Sequence, residues 1–177
     1  MTETALRAPP RRMVSRLRGA ALIVAVLGAG SGATAAPQPS FDPITFFTGA
    51  TESSGSLKQA FSSAKATHVT GFGALRGSGE FVLDQTVTIH GEKVQTRQWH
   101  LRQLAPGHFG GTISDGKGPV TIDAAGNRLL IKYTMNNGMK VSSVLTIEAG
   151  GRTGHNITVV RKWGMSVASL SETITKR

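Results

Sequence analysis

The chain has 177 residues, no cysteine and a formal net charge of +10, from 20 basic and 10 acidic residues. The lack of cysteine excludes disulfide bonds, thiol catalysis and attachment of a lipid to an N-terminal cysteine. After residue 35 the basic residues are spread along the chain and are not interleaved with aromatic residues, which argues against nucleic acid as a partner. Two interpretations of this charge stay open: a solvated basic surface, and weak contact with an anionic membrane surface.

Residues 1–35 have the pattern of a signal peptide. Basic residues precede an apolar run at 20–27, and the small residues at 33–35 resemble a signal peptidase site. The apolar run is shorter than the roughly 20 residues that span a bilayer. We therefore predict cleavage after Ala35 and a soluble, periplasmic mature protein without a lipobox cysteine. The general secretory route is favoured over twin-arginine export. The sequence does not decide whether translation starts at Met1 or at Met13.

Residues 36–53 are predicted to form an extended lead-in followed by one helical turn. Asp42 has the side chain of a helix N-cap, and Pro43 suits the first helical position. Phe46 and Phe47 follow, and Gly49 ends the turn. Because so short a helix needs tertiary contacts to persist, we expect the two phenylalanines to plug an open end of the fold.

Residues 54–177 show short segments of alternating apolar and polar residues, separated by turns that contain glycine. Such alternation gives each strand one apolar and one hydrated face. The many edges that these strands would leave unpaired favour closure. We therefore predict an all-β domain, an up-and-down antiparallel barrel of 8–10 strands. The predicted strands are at about 55–61, 68–75, 80–90, 94–104, 109–115, 120–123, 128–135, 140–147, 155–161 and 166–175.

The register of the hairpin around residue 92 follows from its apolar faces, since a slip of one residue reverses every side chain. A three-residue loop at 91–93 aligns the core faces of the two strands. It places Val87 opposite Arg97, and Gln85 opposite Trp99.

In the next hairpin, a loop at 105–107 places Trp99 opposite Ile113 and Arg97 opposite Asp115. An arginine on a core face needs a partner, because burying a lone charge costs several kcal/mol. One interpretation is a structural salt bridge between Arg97 and Asp115. The other is an anchor for an anionic headgroup, with Arg97 as the donor.

The candidate ligand-binding residues are the interior polar and aromatic side chains Arg97, Trp99, Gln85, Asp115 and Tyr133. The residues predicted to form the plug are Asp42, Pro43, Phe46 and Phe47. No catalytic residue is assigned, and no cofactor is predicted. The five histidines do not have the spacing of a metal site, so no metal is predicted.

Several motifs occur in the order of a known bacterial family. They are Asp42-Pro43-x-x-Phe46-Phe47-x-Gly49, Leu83-Asp84-Gln85, Arg97-x-Trp99, Gly111-Thr112-x-x-Asp115 and Gly126-Asn127. The chain resembles the exported proteins called domain of unknown function thirty-eight thirty-three, many of which are lipoproteins. This resemblance implies a lipocalin-like (calycin-like) barrel and no known activity. Unlike those lipoproteins, the chain has no lipobox cysteine, and it also lacks the Gly-x-Trp of true lipocalins.

Three functions remain open at this point. The first is a periplasmic barrel that binds a small hydrophobic or anionic amphipathic ligand, since the mouths of barrels are common ligand sites. The second is a non-enzymatic accessory protein of the cell envelope that acts through its surface. The third is a cofactor-free enzyme. An outer-membrane barrel is disfavoured because the chain has too few aromatic residues for two interfacial girdles.

Overall fold

The computed structural model describes residues 41–177. The predicted signal peptide, its cleavage after Ala35 and most of the lead-in lie outside these residues. A short helix, α1 (Pro43–Phe47), precedes ten strands. The strands are β1 (Gly49–Gln59), β2 (Lys65–Leu75), β3 (Phe81–Ile89), β4 (Gln95–Ala105), β5 (His108–Ile113), β6 (Val120–Ala125), β7 (Arg128–Thr134), β8 (Lys140–Ile147), β9 (Thr153–Lys162) and β10 (Met165–Lys176).

The ten strands form a closed antiparallel barrel in up-and-down order. Each strand pairs with its successor, and β1 pairs with β10 from Thr51–Lys176 to Gln59–Ala168. Closure leaves no unpaired edge among these ten strands of residues 49–176. The predicted fold class is therefore confirmed, with the number of strands at the top of the predicted range. Among residues 41–177, no helix is long and apolar enough to cross a membrane.

The first strand begins at Gly49, earlier than the predicted start near residue 55. The inward positions of its first half are Thr51 and Ser53, which are both buried. Because these positions carry hydroxyl groups, the apolar alternation on which the prediction depended is absent there. Residues 49–53 therefore belong to the barrel wall and not to the lead-in.

Helix α1 lies at one end of the barrel, which we call the helix end. Asp42 caps it as predicted, accepting a hydrogen bond from the Ile44 N–H at 2.9 Å. Phe46 and Phe47 are buried in the core that fills this end. Their partners in that core include Phe81, Leu101, Phe109, Ile122, Leu129, Leu145, Ile147 and Ile174.

The β3–β4 pairing has the predicted faces but is displaced by two residues. Leu83 lies opposite Trp99, and Gln85 lies opposite Arg97. The predicted pairs Val87–Arg97 and Gln85–Trp99 are therefore wrong. The connection runs over residues 90–94 and is longer than the predicted 91–93, and a shift by an even number of residues leaves every side chain on its predicted face.

The β4–β5 hairpin has the predicted pair of Trp99 with Ile113. Its turn contains an irregularity between Gln103 and Ala105, which the prediction did not include. The ladder ends at Ile113, so Asp115 lies in the connection after β5 and not in a strand row.

Candidate ligand-binding cavity

Gln85 joins Arg97 and Trp99 on the inner wall of the barrel. Its Oε1 atom accepts hydrogen bonds from Arg97 Nε and from Trp99 Nε1, each at 2.8 Å. Both partners are donors only, so the side-chain amide must present its oxygen to them. The Arg97 guanidinium also lies 5.7 Å from the centre of the Trp99 ring. One amide oxygen thus orients the cation and the indole together.

The predicted salt bridge between Arg97 and Asp115 does not form. Among residues 41–177, no ion pair includes Arg97, and its Nη1 and Nη2 atoms make no hydrogen bond. The register shift places Gln85 opposite Arg97, and the β5 strand ends before Asp115. The structural-bridge interpretation is therefore wrong for this pair, and the guanidinium keeps two nitrogen atoms for another partner.

Asp115 lies close to the same region but has a different environment. Its Oδ1 atom is buried and has no hydrogen-bond partner within the described part of the chain. A buried acceptor without a partner costs about 1–3 kcal/mol. This atom is therefore suited to a hydrogen-bond donor that a ligand or water brings.

Tyr133 packs edge-on against Trp99, with ring centres 5.6 Å apart. Burial raises the pKa of Tyr133 above its ordinary value; Arg97 opposes this shift, and Asp115 and Glu172 add to it. Within residues 41–177 its hydroxyl makes no hydrogen bond with another side chain or the backbone. The phenol therefore stays neutral at physiological pH and is free to donate a hydrogen bond in the cavity.

Tyr133 is the single tyrosine of the chain, so its titration can be measured directly. We expect tyrosinate absorbance in the folded protein to rise at a higher pH than in the urea-unfolded protein. The unfolded chain then releases this proton first, so the free energy of unfolding should fall as pH rises above about 10. Tyr133→Phe should remove this component of the alkaline loss. Identical folded and unfolded titration curves would contradict the assignment.

Glu172 is the main interior residue that the sequence analysis missed. It is only 8% exposed, and its carboxyl oxygens accept hydrogen bonds from Ser53 Oγ at 2.7 Å and Asn156 Nδ2 at 2.8 Å. These residues come from β10, β1 and β9, which meet because the barrel closes. The sequence does contain a signal for its inward position, because Glu172 lies on the same strand face as the apolar Leu170 and Ile174.

The polar group continues around the wall from Asn156. Thr158 lies within 3.2 Å of Asn156 Nδ2, and its hydroxyl is 2.6 Å from that of Ser143. The Asn156 Oδ1 atom is buried and has no hydrogen-bond partner within the described part of the chain. The interior therefore offers acceptors on this side and donors at Arg97 and Tyr133.

Two neighbouring cavities lie inside the barrel that residues 41–177 form. The inner one has a volume of about 100 Å³ and includes Phe47, Gln85, Trp99 and Glu172 in its lining. The outer one, of about 210 Å³, is lined mainly by apolar residues of the opposite end, which we call the mouth. Both cavities are lined by Arg97, Tyr133, Thr158 and Leu170. A cavity of about 150 Å³ accepts benzene, so the two spaces suit two small parts of one molecule.

All five candidate ligand-binding residues of the sequence analysis line these cavities. Asp115 lines the outer cavity, Gln85 and Trp99 line the inner one, and Arg97 and Tyr133 line both. None of the histidines within residues 41–177 lines either cavity. His155, which shares its outer strand face with the exposed Ile157, bonds to Glu148 at 2.7 Å.

The architecture and its interior define the class of protein. It is a lipocalin-like closed barrel with a polar group at mid-depth. The chain belongs to the family described as "Protein of unknown function (DUF3833)", whose pattern matches residues 22–176. No curated protein shows significant sequence similarity to it.

Two solved structures have a similar fold. One is the S-type phycobiliprotein lyase CPES from Guillardia theta, with a TM-score of 0.60 and 7% identity over 76% of this chain and 90% of that one. The other is a DUF3598-family protein of unknown function from Nostoc punctiforme, with a TM-score of 0.54 and 12% identity over 83% of this chain and 53% of that one. At such identities, these similarities show the fold alone.

Proposed function

We propose that this protein binds a small amphipathic molecule inside its barrel, without catalysis. The observation that carries the proposal is the Arg97 guanidinium, whose two terminal nitrogens have no partner among residues 41–177 and which lines both cavities. A guanidinium fork binds a carboxylate, phosphate or sulfonate through paired, charge-assisted hydrogen bonds. The apolar lining of the outer cavity suits the remainder of such a molecule.

The interior also narrows the chemistry of the ligand. Near Arg97 lie two carboxyl groups, of Asp115 and Glu172, and the unpaired amide oxygen of Asn156. A purely anionic headgroup can accept hydrogen bonds from the guanidinium, but it has no donor for these acceptor oxygens. A headgroup that combines an anionic or carbonyl oxygen with an amine, amide or hydroxyl donor satisfies both sides. We propose this mixed class as a narrower form of the small hydrophobic or anionic amphipathic ligand that the sequence predicts.

We further propose that the protein works in the periplasm, after cleavage of its leader following Ala35. The basic region, the apolar run and the small-residue cleavage pattern support this location. A soluble barrel there would shield an amphipathic molecule from water.

One measurement tests the location and the ligand together. Native mass spectrometry of protein purified from the periplasm should show a chain that begins at Ala36 and a fraction with an added small mass. Arg97→Leu should lower that fraction about 10- to 100-fold, since hydrogen bonds to a charged group contribute about 1.5–3 kcal/mol. We expect the variant to fold, because Gln85 keeps its bond from Trp99.

The matched control is Arg102→Leu, which removes an exposed arginine from the outer face of the same strand. It should retain the wild-type ligand fraction. The ligand proposal fails if wild-type protein is always empty and does not bind anilinonaphthalene sulfonate, an aromatic sulfonate of suitable size. It also fails if both variants bind this probe as the wild type does. A chain that retains residues before Ala36 would refute the cleavage alone.

A further inference from the structure

Three hairpins at the mouth present exposed apolar side chains to solvent. Phe61 lies in the β1–β2 connection and is fully exposed, and Trp163 lies in the β9–β10 connection and is 84% exposed. Val94 and Met165 are also exposed, beside the β3–β4 and β9–β10 turns. Four such side chains at one end of a small barrel form a patch that water solvates poorly.

These three hairpins are neighbours around the rim. The Ala60 N–H donates to the Val167 carbonyl at 2.9 Å, which joins the first hairpin to the last. Lys65 Nζ donates to Glu92 Oε1 at 2.7 Å, which joins the first hairpin to the β3–β4 connection. The exposed apolar side chains therefore occupy one continuous arc of the mouth, the apolar arc.

The backbone of the apolar arc is strained at both aromatic residues. Phe61 has a φ of 61° and Trp163 has a φ of 50°, and they are the two non-glycine residues with positive φ within residues 41–177. Residues with bulky side chains rarely adopt this conformation, which glycine and asparagine adopt more readily. Strain of this kind concentrates at functional sites. Both exposed aromatic side chains are thus held outward at an energetic cost.

The mouth is also the more positively charged end of the barrel. The mouth connections and adjoining strand ends carry seven basic residues (Lys58, Lys65, Lys93, Lys117, Lys140, Arg161 and Lys162) and two acidic ones (Glu92 and Asp115). The helix end, counted in the same way, carries five basic residues (Arg76, Arg128, Arg152, Lys176 and Arg177) and three acidic ones (Asp42, Glu80 and Glu148). The excess of basic over acidic residues is therefore larger at the mouth than at the helix end.

Most of the mouth cations have no carboxylate partner in the described part of the chain. Of the seven, Lys65 is the one whose ion pair is present in residues 41–177. Lys162 Nζ instead lies 4.6 Å from the centre of the exposed Trp163 ring. Aromatic side chains with adjacent lysines suit the interface of a bilayer, where the ring enters the headgroup region and the ammonium meets lipid phosphate.

We infer that the mouth docks on an anionic lipid bilayer, with Phe61 and Trp163 inserted between headgroups and the lysines around them on lipid phosphates. Anionic lipid is the occupant that satisfies both the apolar arc and the excess of positive charge. This inference does not depend on ligand binding. Together with the proposed function, it places the outer cavity against the membrane, so that an amphipathic ligand can pass between lipid and barrel.

Co-sedimentation of the mature protein with vesicles tests this inference. Binding is expected with mixed phosphatidylcholine–phosphatidylglycerol vesicles and should be much weaker with phosphatidylcholine alone, and added salt should reduce it. Phe61→Asn combined with Trp163→Asn should lower the partition coefficient at least about tenfold. Lys93→Glu combined with Lys162→Glu should lower it by about the same factor.

Matched controls lie away from the mouth. Phe72→Asn removes an exposed phenylalanine from the outer face of β2, and Arg76→Glu with Arg128→Glu reverses two exposed charges at the helix end. These variants should bind vesicles as the wild type does. Arg97→Leu should also bind normally, which separates this inference from the proposed function. A blue shift of Trp163 fluorescence on vesicles, in a Trp99→Phe background, provides a second measurement.

Three results would overturn the inference. The first is no binding of the wild type to the mixed vesicles. The second is an equal loss of binding in the control variants. The third is a dimer in sedimentation that the Phe61→Asn and Trp163→Asn changes dissociate, because the apolar arc would then be an interface between two copies.

Discussion

Gly73→Ala should destabilise the protein by about 3 kcal/mol or more, because overpacking a filled site costs about 1–3 kcal/mol and more where backbone blocks relaxation. An added Cβ atom at this position would lie under 3.0 Å from the Phe47 carbonyl oxygen and from the Phe81 ring. Phe81 is fully buried, and Phe47 ends helix α1. The methyl group must therefore displace the helix from the barrel or shift the core beneath it.

Chemical denaturation measures this effect, with limited proteolysis to detect release of α1. Gly77→Ala is the matched control, since its added Cβ meets nothing within 4 Å and its backbone φ is not in the left-handed region. The control should stay within about 1 kcal/mol of the wild type. If both variants unfold at the same denaturant concentration, α1 does not press against Gly73 in solution.

Gln85→Leu should destabilise the protein by about 2 kcal/mol and also disorder the candidate site, since each buried donor left without an acceptor costs about 1–3 kcal/mol. The substitution removes the oxygen that accepts from both Arg97 Nε and Trp99 Nε1. The volume of the side chain is nearly kept, so the loss reports the hydrogen bonds and not a cavity. Near-ultraviolet circular dichroism of Trp99 should weaken in parallel.

Gln85→Glu tests whether the acceptor oxygen alone, without the amide group, is sufficient to hold the site. It retains an oxygen for both donors and adds a negative charge beside Arg97, so its stability should lie close to that of the wild type. Its ligand affinity should fall, because the new carboxylate competes for the guanidinium. A Gln85→Leu variant as stable as Gln85→Glu would mean that water replaces the amide oxygen and that the site is not held by Gln85.

The position of the site at mid-depth explains why these two substitutions act differently. Gly73 supports the packed helix end, where Phe46 and Phe47 are buried in the core. Gln85 belongs to the polar region next to both cavities. We therefore expect Gly73→Ala to affect stability first, and Gln85→Leu to affect stability and ligand affinity together.

Much of the fold could be predicted from local pattern. Alternation at period two located ten strands, and glycine-containing turns predicted their up-and-down order. The capping chemistry of Asp42 and Pro43 located α1. The first half of β1 escaped this reasoning because its inward residues, Thr51 and Ser53, are polar.

The side of the sheet on which each side chain lies was also predictable. The residues that lie opposite each other on neighbouring strands were not. Parity placed Gln85, Arg97 and Trp99 on the inner wall, because a change of loop length by two residues leaves the faces unchanged. Parity carries no information on which even register is adopted. The predicted Val87–Arg97 and Gln85–Trp99 pairs failed for this reason. The predicted Arg97–Asp115 pair failed for another reason: the β4–β5 register is the predicted one, but β5 ends at Ile113, before Asp115.

The sequence by itself thus determined the strands, their order, and which side chains face inward, because these depend on neighbours along the chain. Only the tertiary structure decided that Glu172, Ser53 and Asn156 meet across the closed seam, and that Phe61 and Trp163 stand together on one rim. Ser53 and Glu172, for example, are 119 positions apart in the chain. They exist because ten twisted strands close on themselves, and strand twist and closure are properties of the whole sheet.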